Sequence, residues 1–177
     1  MLGKEALEKT LLDIDEEASL LLDGVHARPR VIVVGGSAFM LRDLTARPAT
    51  HDIDVLEADA TVRAILARYP AVNGSVAAHA DEIPYNFEDR LERIDLPTHV
   101  VDFYTPSLED LTVMKLYAWR PNDISDLTSP QVLERMDWAL LDKLVHDNDE
   151  ARASALVERR YQEMVGIYEQ YKEAYAR

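Results

Sequence analysis

The chain has no cysteine among its 177 residues. Disulfide scaffolds, thiol nucleophiles and cysteine-based zinc sites are therefore excluded. Long apolar runs are missing too. Val31-Ile32-Val33-Val34 is typical of those present, far below the ~20 residues that cross a bilayer, so no membrane partner is expected. The start, Met1-Leu2-Gly3-Lys4-Glu5, leads into acidic residues and does not read as a signal peptide. A cytoplasmic location is the resulting expectation. Lysine is scarce, being confined to Lys4, Lys9, Lys115, Lys143 and Lys172. The 19 basic residues face 33 acidic ones, for a formal net charge of −14. Phosphate backbones repel such a chain, which argues against broad DNA binding. A local basic patch around Arg42, Arg47 and Arg120 remains compatible with that charge. The histidines, His26, His51, His79, His99 and His146, form no i, i+4 pair, which sets a helical zinc site aside.

What is present is the composition of a globular domain that can bury a core without cross-links. Leu7, Leu11, Ile14, Ala18 and Leu21 step by four and three, which predicts a helix over residues 4–22, stopped at Gly24. Val31-Ile32-Val33-Val34 reads as a buried strand, and Gly35-Gly36-Ser37 opens a short helix carrying Ala38, Leu41 and Leu44. A second strand is expected over 51–56. The next helix carries Val62, Ile65, Leu66 and Tyr69 and stops at Pro70. Residues 71–88 read as mostly loop with a short strand. Residues 90–96 and 98–104 read as two strands about a turn at Pro97. Ser107-Leu108-Glu109-Asp110 has the form of a capping box and starts a helix over 108–119. A polar connection over 120–128 follows, then Ser129-Pro130 opens a helical remainder. The expected fold class is α+β: a small mixed β-sheet packed by helices, with a helical C-terminal half. Residues 1–128 are expected to form the core with its N-terminal helix. Residues 129–177 are expected to form a helical region packed on it, in one compact unit.

Asp52-Ile53-Asp54 holds the chemistry. Side chains two apart on a strand share a face. Two carboxylates there repel each other, and a divalent cation removes that penalty. A solvated strand in an Asp-rich chain is the plain alternative. Just upstream, Gly35 and Gly36 let the backbone approach a ligand, and N–H groups with the Ser37 hydroxyl would hold a terminal phosphate. The alternative is that Ser37 only caps its helix. Asp102 is an acid within an otherwise apolar strand. It completes a three-acid metal site if that strand lies beside the first, and is otherwise an edge aspartate. Lys115 occupies a position of the stripe Leu111, Lys115, Ala118 and Trp119 where an apolar residue is expected. It reaches either a nucleotide phosphate or, by snorkelling, the solvent. Arg47, Asp123 and Asp126 are weaker candidates.

A Gly-Ser turn, Asp-x-Asp on the next strand and a lone Asp on a later strand resemble the polymerase-β-type nucleotidyltransferases. The residues are Val33 to Ala38, Arg47, Thr50 to Val55, Val101-Asp102-Phe103, Leu111 to Lys115, Ala118, Arg120, Asp123, Asp126 and Leu127. The branch it resembles most is the AbiEii-like and related minimal nucleotidyltransferases, many of them toxins of toxin–antitoxin pairs. The resemblance implies a nucleoside triphosphate substrate with Mg²⁺ or Mn²⁺. It makes Asp52, Asp54 and Asp102 the catalytic metal ligands. Gly35, Gly36, Ser37, Arg47, Lys115 and Asp123 become the nucleotide-binding set. It implies transfer of a nucleoside monophosphate to an acceptor hydroxyl, on RNA, a protein or a small molecule, and an antitoxin protein as a partner. One departure is Asn122, where related sequences often carry a basic residue. The competing expectation is a catalytically inactive nucleotide- or partner-binding module on the same fold.

Overall fold

Helix α1 (Lys4–Leu21) forms where apolar residues recur every three or four positions, and Leu7, Leu11, Ile14 and Ala18 are buried along that stripe. The structure is a computed structural model that describes residues 1–22 and 27–176. The expected stop at Gly24 lies outside the described residues. Asp15 shares the buried face of α1. Its carboxylate accepts the backbone N–H groups of His99, Val100 and Val101 at 2.7, 2.8 and 2.7 Å. Three donors offset the desolvation of this buried charge.

Strand β1 (Arg30–Val34) is the centre of a mixed five-stranded sheet, and its last four side chains are fully buried. It runs into α2 (Gly35–Leu41). Strand β2 (Ile53–Ala58) returns antiparallel to β1, with an irregularity at Ile32 and Val33. Helix α3 (Ala60–Leu66) follows, burying Val62, Ile65 and Leu66. The two-residue β3 (Val72–Asn73) then pairs parallel to β2. Strand β4 (Glu92–Arg93) is antiparallel to β5 (Asp102–Thr105), and β5 is parallel to β1. The sheet order is β3-β2-β1-β5-β4. The strands expected over 90–96 and 98–104 shrink to these two short pieces. In the second, the N–H groups of residues 99–101 bind the sequence-distant Asp15 instead of a neighbouring strand.

The chain groups into two compact units. The first holds Met1–Asp43, Arg47–Ala77 and Glu92–Thr105, and so contains the whole sheet. The second holds Leu44–Ala46, Ala78–Leu91 and Pro106–Arg177. In the second unit α4 (Leu108–Ala118) is the central helix, packing against α5 (Pro121–Leu127), α7 (Trp138–His146) and α9 (Glu158–Tyr175). The short helices α6 (Pro130–Leu133) and α8 (Ala151–Ser154) complete it. Ser107 caps α4, its Oγ accepting the Asp110 N–H at 3.1 Å. The Arg90 guanidinium joins the buried Asp110 and Glu150 carboxylates, at 2.8 and 3.0 Å. Tyr161 and Tyr171 are core residues of α9, their hydroxyls donating to the Val145 and Leu127 carbonyls.

Residues 120–128, expected as a connection, instead carry α5. Pro121 supplies the first helical position and Asp123 caps it, its carboxylate accepting the Arg120 N–H at 3.2 Å. The protein is thus α+β, with a mixed sheet and a helical C-terminal half. Among the described residues, no helix is long and apolar enough to cross a membrane.

Candidate active site

The turn at the end of β1 is built around a carboxylate. Gly35 has φ +65°, in the left-handed region. A Cβ there would lie 2.3 Å from Asp54 Oδ2, inside van der Waals contact. Asp54 therefore occupies the space that a side chain at 35 would fill. The register fixes this meeting, because Val34 and Asp54 are partners across the β1–β2 ladder. At Gly36 a Cβ would lie 3.0 Å from Arg47 Nη2 and 3.1 Å from Thr50 Oγ1. The second glycine thus lets the Arg47 guanidinium fold across the turn. The two glycines have different purposes, one toward an acid and one toward a base.

Ser37 is fully buried. Its hydroxyl donates to the Val34 carbonyl at 2.8 Å and accepts the Asp54 N–H at 3.2 Å. It ties the turn to β2 and is not presented outward, a correction to the hydroxyl–phosphate contact expected of it. Asp52 and Asp54 are both half-buried, and Ile53 between them is fully buried. Strand β2 starts at Ile53, not at the expected residue 51, so Asp54 lies on the strand and Asp52 just before it. Sequence reading missed Asn73. Its Nδ2 donates to Asp54 Oδ1 at 2.9 Å. The only signal was the turn-forming Asn73-Gly74-Ser75, within a segment read as mostly loop.

Asp102 does not join the pair. It is the register partner of Arg30, at the start of β1, whereas Asp54 is the partner of Val34, at its end. Four residues of strand separate the two positions along β1, about 13 Å at ~3.3 Å per residue. The flanking strands lie on opposite sides of β1, which adds about 9–10 Å sideways. No single cation spans that. Asp102 instead pairs with Arg28 and Arg93, each at 3.0 Å. Among the described residues no group of three His, Asp or Glu is placed to hold a metal ion. The expected three acids are therefore not brought together.

Lys115 and Asp123 belong to the second unit, and there they face each other. Lys115 Nζ lies 2.9 Å from Asp123 Oδ1 and 2.8 Å from Asp126 Oδ2, with all three residues buried. Thr45 donates to Asp126 Oδ1 at 2.7 Å, and Arg120 Nε to Asp123 Oδ2 at 2.8 Å. Burial works to raise the Asp123 carboxyl, but the Arg120 hydrogen bond and the Lys115 ammonium outweigh it and hold it below the usual carboxylate range. The lysine that looked poised for a nucleotide is engaged with two internal carboxylates.

The model of a family described as "nucleotidyltransferase of unknown function" (DUF6036) matches residues 9–176. The chain belongs to this family. It is thus a member of a family of nucleotidyltransferase enzymes. Neither the curated proteins nor the solved structures include a match to it. The family match spans both compact units, so the helical half is part of what defines the family.

Proposed function

We propose that this family member transfers a nucleoside monophosphate from a nucleoside triphosphate to an acceptor hydroxyl, at the turn after β1. The acceptor oxygen attacks the α-phosphorus and releases its proton to solvent, the bond to the bridging oxygen breaks, and pyrophosphate leaves. The observation that carries the reading is the seating of Asp54 against Gly35, with the half-buried Asp52 just ahead of β2. Two carboxylates offer hard oxygen donors, the chemistry that suits Mg²⁺ or Mn²⁺, which complete their shells with water and phosphate oxygens. Asp52 and Asp54 would hold that cation. When bound, it would offset the triphosphate charge. Gly35 and Gly36 let Asp54 and Arg47 close on the turn, so that an acid and a base would flank the triphosphate there. Arg47, folded across Gly36, supplies a guanidinium for phosphate oxygens. Ser37 acts through the turn, holding Asp54 by its backbone.

The test incubates the protein with Mg²⁺, each of four labelled nucleoside triphosphates, total RNA and a protein lysate, beside Asp52→Ala and Asp54→Ala. Label entering one acceptor class, and lost in both variants, supports the proposal. Label in transfer RNA would add the toxin reading that the AbiEii-like resemblance implies. No label from folded protein, or label undiminished in Asp54→Ala, refutes it. The position of Asp102 favours a second reading, a module that binds nucleotide without transferring it. That module would bind labelled triphosphate and yield no product in any class.

A further inference from the structure

We infer that Asn73 is a positioning residue that sets the Asp54 carboxylate for its cation, an inference that rests on the nucleotidyl-transfer reading above. Strand β3 is only two residues long, and its parallel register places Asn73 beside Asp54. The ladder continues from the Ile53 N–H, which donates to the Ala71 carbonyl at 2.7 Å. The Asn73 amide is itself fixed. Its Oδ1 accepts the Ser75 N–H at 3.0 Å, which turns Nδ2 toward Asp54 Oδ1 at 2.9 Å. A carboxylate needs a donor and a main-chain N–H needs an acceptor, so this amide orientation satisfies both neighbours and the flipped one satisfies neither.

Asp54 is thereby gripped from two sides. Asn73 takes Oδ1, and the bare Gly35 backbone lies under Oδ2. Rotation of the carboxylate would break the first contact or drive an oxygen into the second. A neutral amide suits this task. It orients the oxygen without bringing a positive charge that would compete with a cation, or a negative one that would repel the acid. Outer partners of metal-binding carboxylates have this function, and their removal typically lowers metal affinity or activity about 10–100-fold.

The test compares wild type with Asn73→Ala and Asn73→Asp. Mn²⁺ binding is titrated in the presence of a non-hydrolysable triphosphate analogue, and kcat and KM for the triphosphate are measured separately. Asn73→Ala is expected to bind Mn²⁺ about 10–100-fold more weakly and to lose kcat, with the triphosphate KM little changed. Wild-type Mn²⁺ affinity and kcat in a folded Asn73→Ala would overturn the inference. If that variant does not fold, Asn73→Asp decides. It keeps an acceptor for the Ser75 N–H but sets a second carboxylate against Asp54. Without a donor at position 73, its kcat is expected to stay about 10–100-fold below wild type even at saturating Mn²⁺, and a wild-type kcat there overturns the inference. Wild type separates the two proposals. If it binds no Mn²⁺ with the analogue, the transfer reading fails and this inference with it. If it binds and transfers, only the role of Asn73 is at stake.

Discussion

Replacing Gly35 by alanine tests the geometry on which the site depends. The added Cβ would stand 2.3 Å from Asp54 Oδ2, and the backbone there has φ +65°. Holding a residue with a Cβ in the left-handed region costs roughly 1–2 kcal/mol. Relieving the overlap needs the carboxylate to retreat by about 1 Å, and overpacking of that order costs about 1–3 kcal/mol. The stiffer unfolded chain returns about 0.4–1 kcal/mol. The expected net loss is about 2–4 kcal/mol, within the 5–15 kcal/mol that domains typically possess. The variant should therefore fold. Its displaced Asp54 should reduce kcat by about 100-fold, the usual penalty of an ångström of misplacement. Gly36→Ala is the internal control. Its backbone is not left-handed, and its nearest neighbour is the flexible tip of Arg47, 3.0 Å away. It should lose under ~1 kcal/mol and act on the triphosphate KM. Urea unfolding and labelled-nucleotide incorporation read both quantities. Gly35→Ala with wild-type stability and rate, or two variants that behave alike, would refute the reasoning.

Three further outcomes follow from contacts outside that turn. Asp102→Asn removes partly exposed ion pairs to Arg28 and Arg93, so it should cost no more than about 1 kcal/mol in urea unfolding. Its transfer rate should match wild type, whereas a loss as deep as that of Asp54→Ala would restore Asp102 to the site. Lys115→Met leaves Asp123 and Asp126 buried without their ammonium, a loss of about 3–5 kcal/mol. Adding Asp126→Asn should recover part of it, and a Lys115→Met protein of wild-type stability but raised triphosphate KM would point instead to nucleotide contact. The lowered Asp123 pKa gives a pH signature. A depressed carboxyl contributes stability above its unfolded value of about 3.9, and that stability is lost as pH falls through the lower folded value. The stability gap between wild type and Asp123→Asn, from urea unfolding at pH 7 down to 3, should thus narrow below about pH 4. A gap that widens there would contradict the assignment.

Most of the elements were legible because their signals are local. The stripe through Leu7, Leu11, Ile14 and Ala18 specifies α1, and four consecutive β-branched residues specify β1. Ser107 and Asp110 announce the start of α4 by their own hydrogen bond. The misreadings come from partners distant in sequence. Nothing near residues 98–101 reveals that Asp15, more than 80 positions upstream, takes three of their N–H groups. In α5, Arg120, Pro121 and Asp123 look like loop chemistry until the capping arrangement is seen as a helix start. Lys115 was singled out correctly as a charge on a buried face, but its partners on α5 were hidden by reading that helix as a connection.

The site was legible to the extent that strand direction did not matter. Gly35, Gly36 and the two acids follow from adjacent elements, because an antiparallel return brings the start of β2 to the end of β1. Asp102 depended on a direction that no local pattern encodes. In the parallel β1–β5 pair both strands start at the same end of the sheet, so an acid opening β5 stands beside Arg30 and away from the turn. A position level with Val34 on that side would fall past Tyr104, where β5 ends at Thr105 and Pro106 follows. Proline offers no carboxylate, and Thr105 alternates to the face of Phe103, opposite that of Tyr104, Ile32 and Asp54. Of the acids on β2 and β5, only Asp54 therefore stands level with Val34 at the turn. That places the demand for a well-held carboxylate on Asp54, and the Gly35 and Asn73 contacts help to meet it.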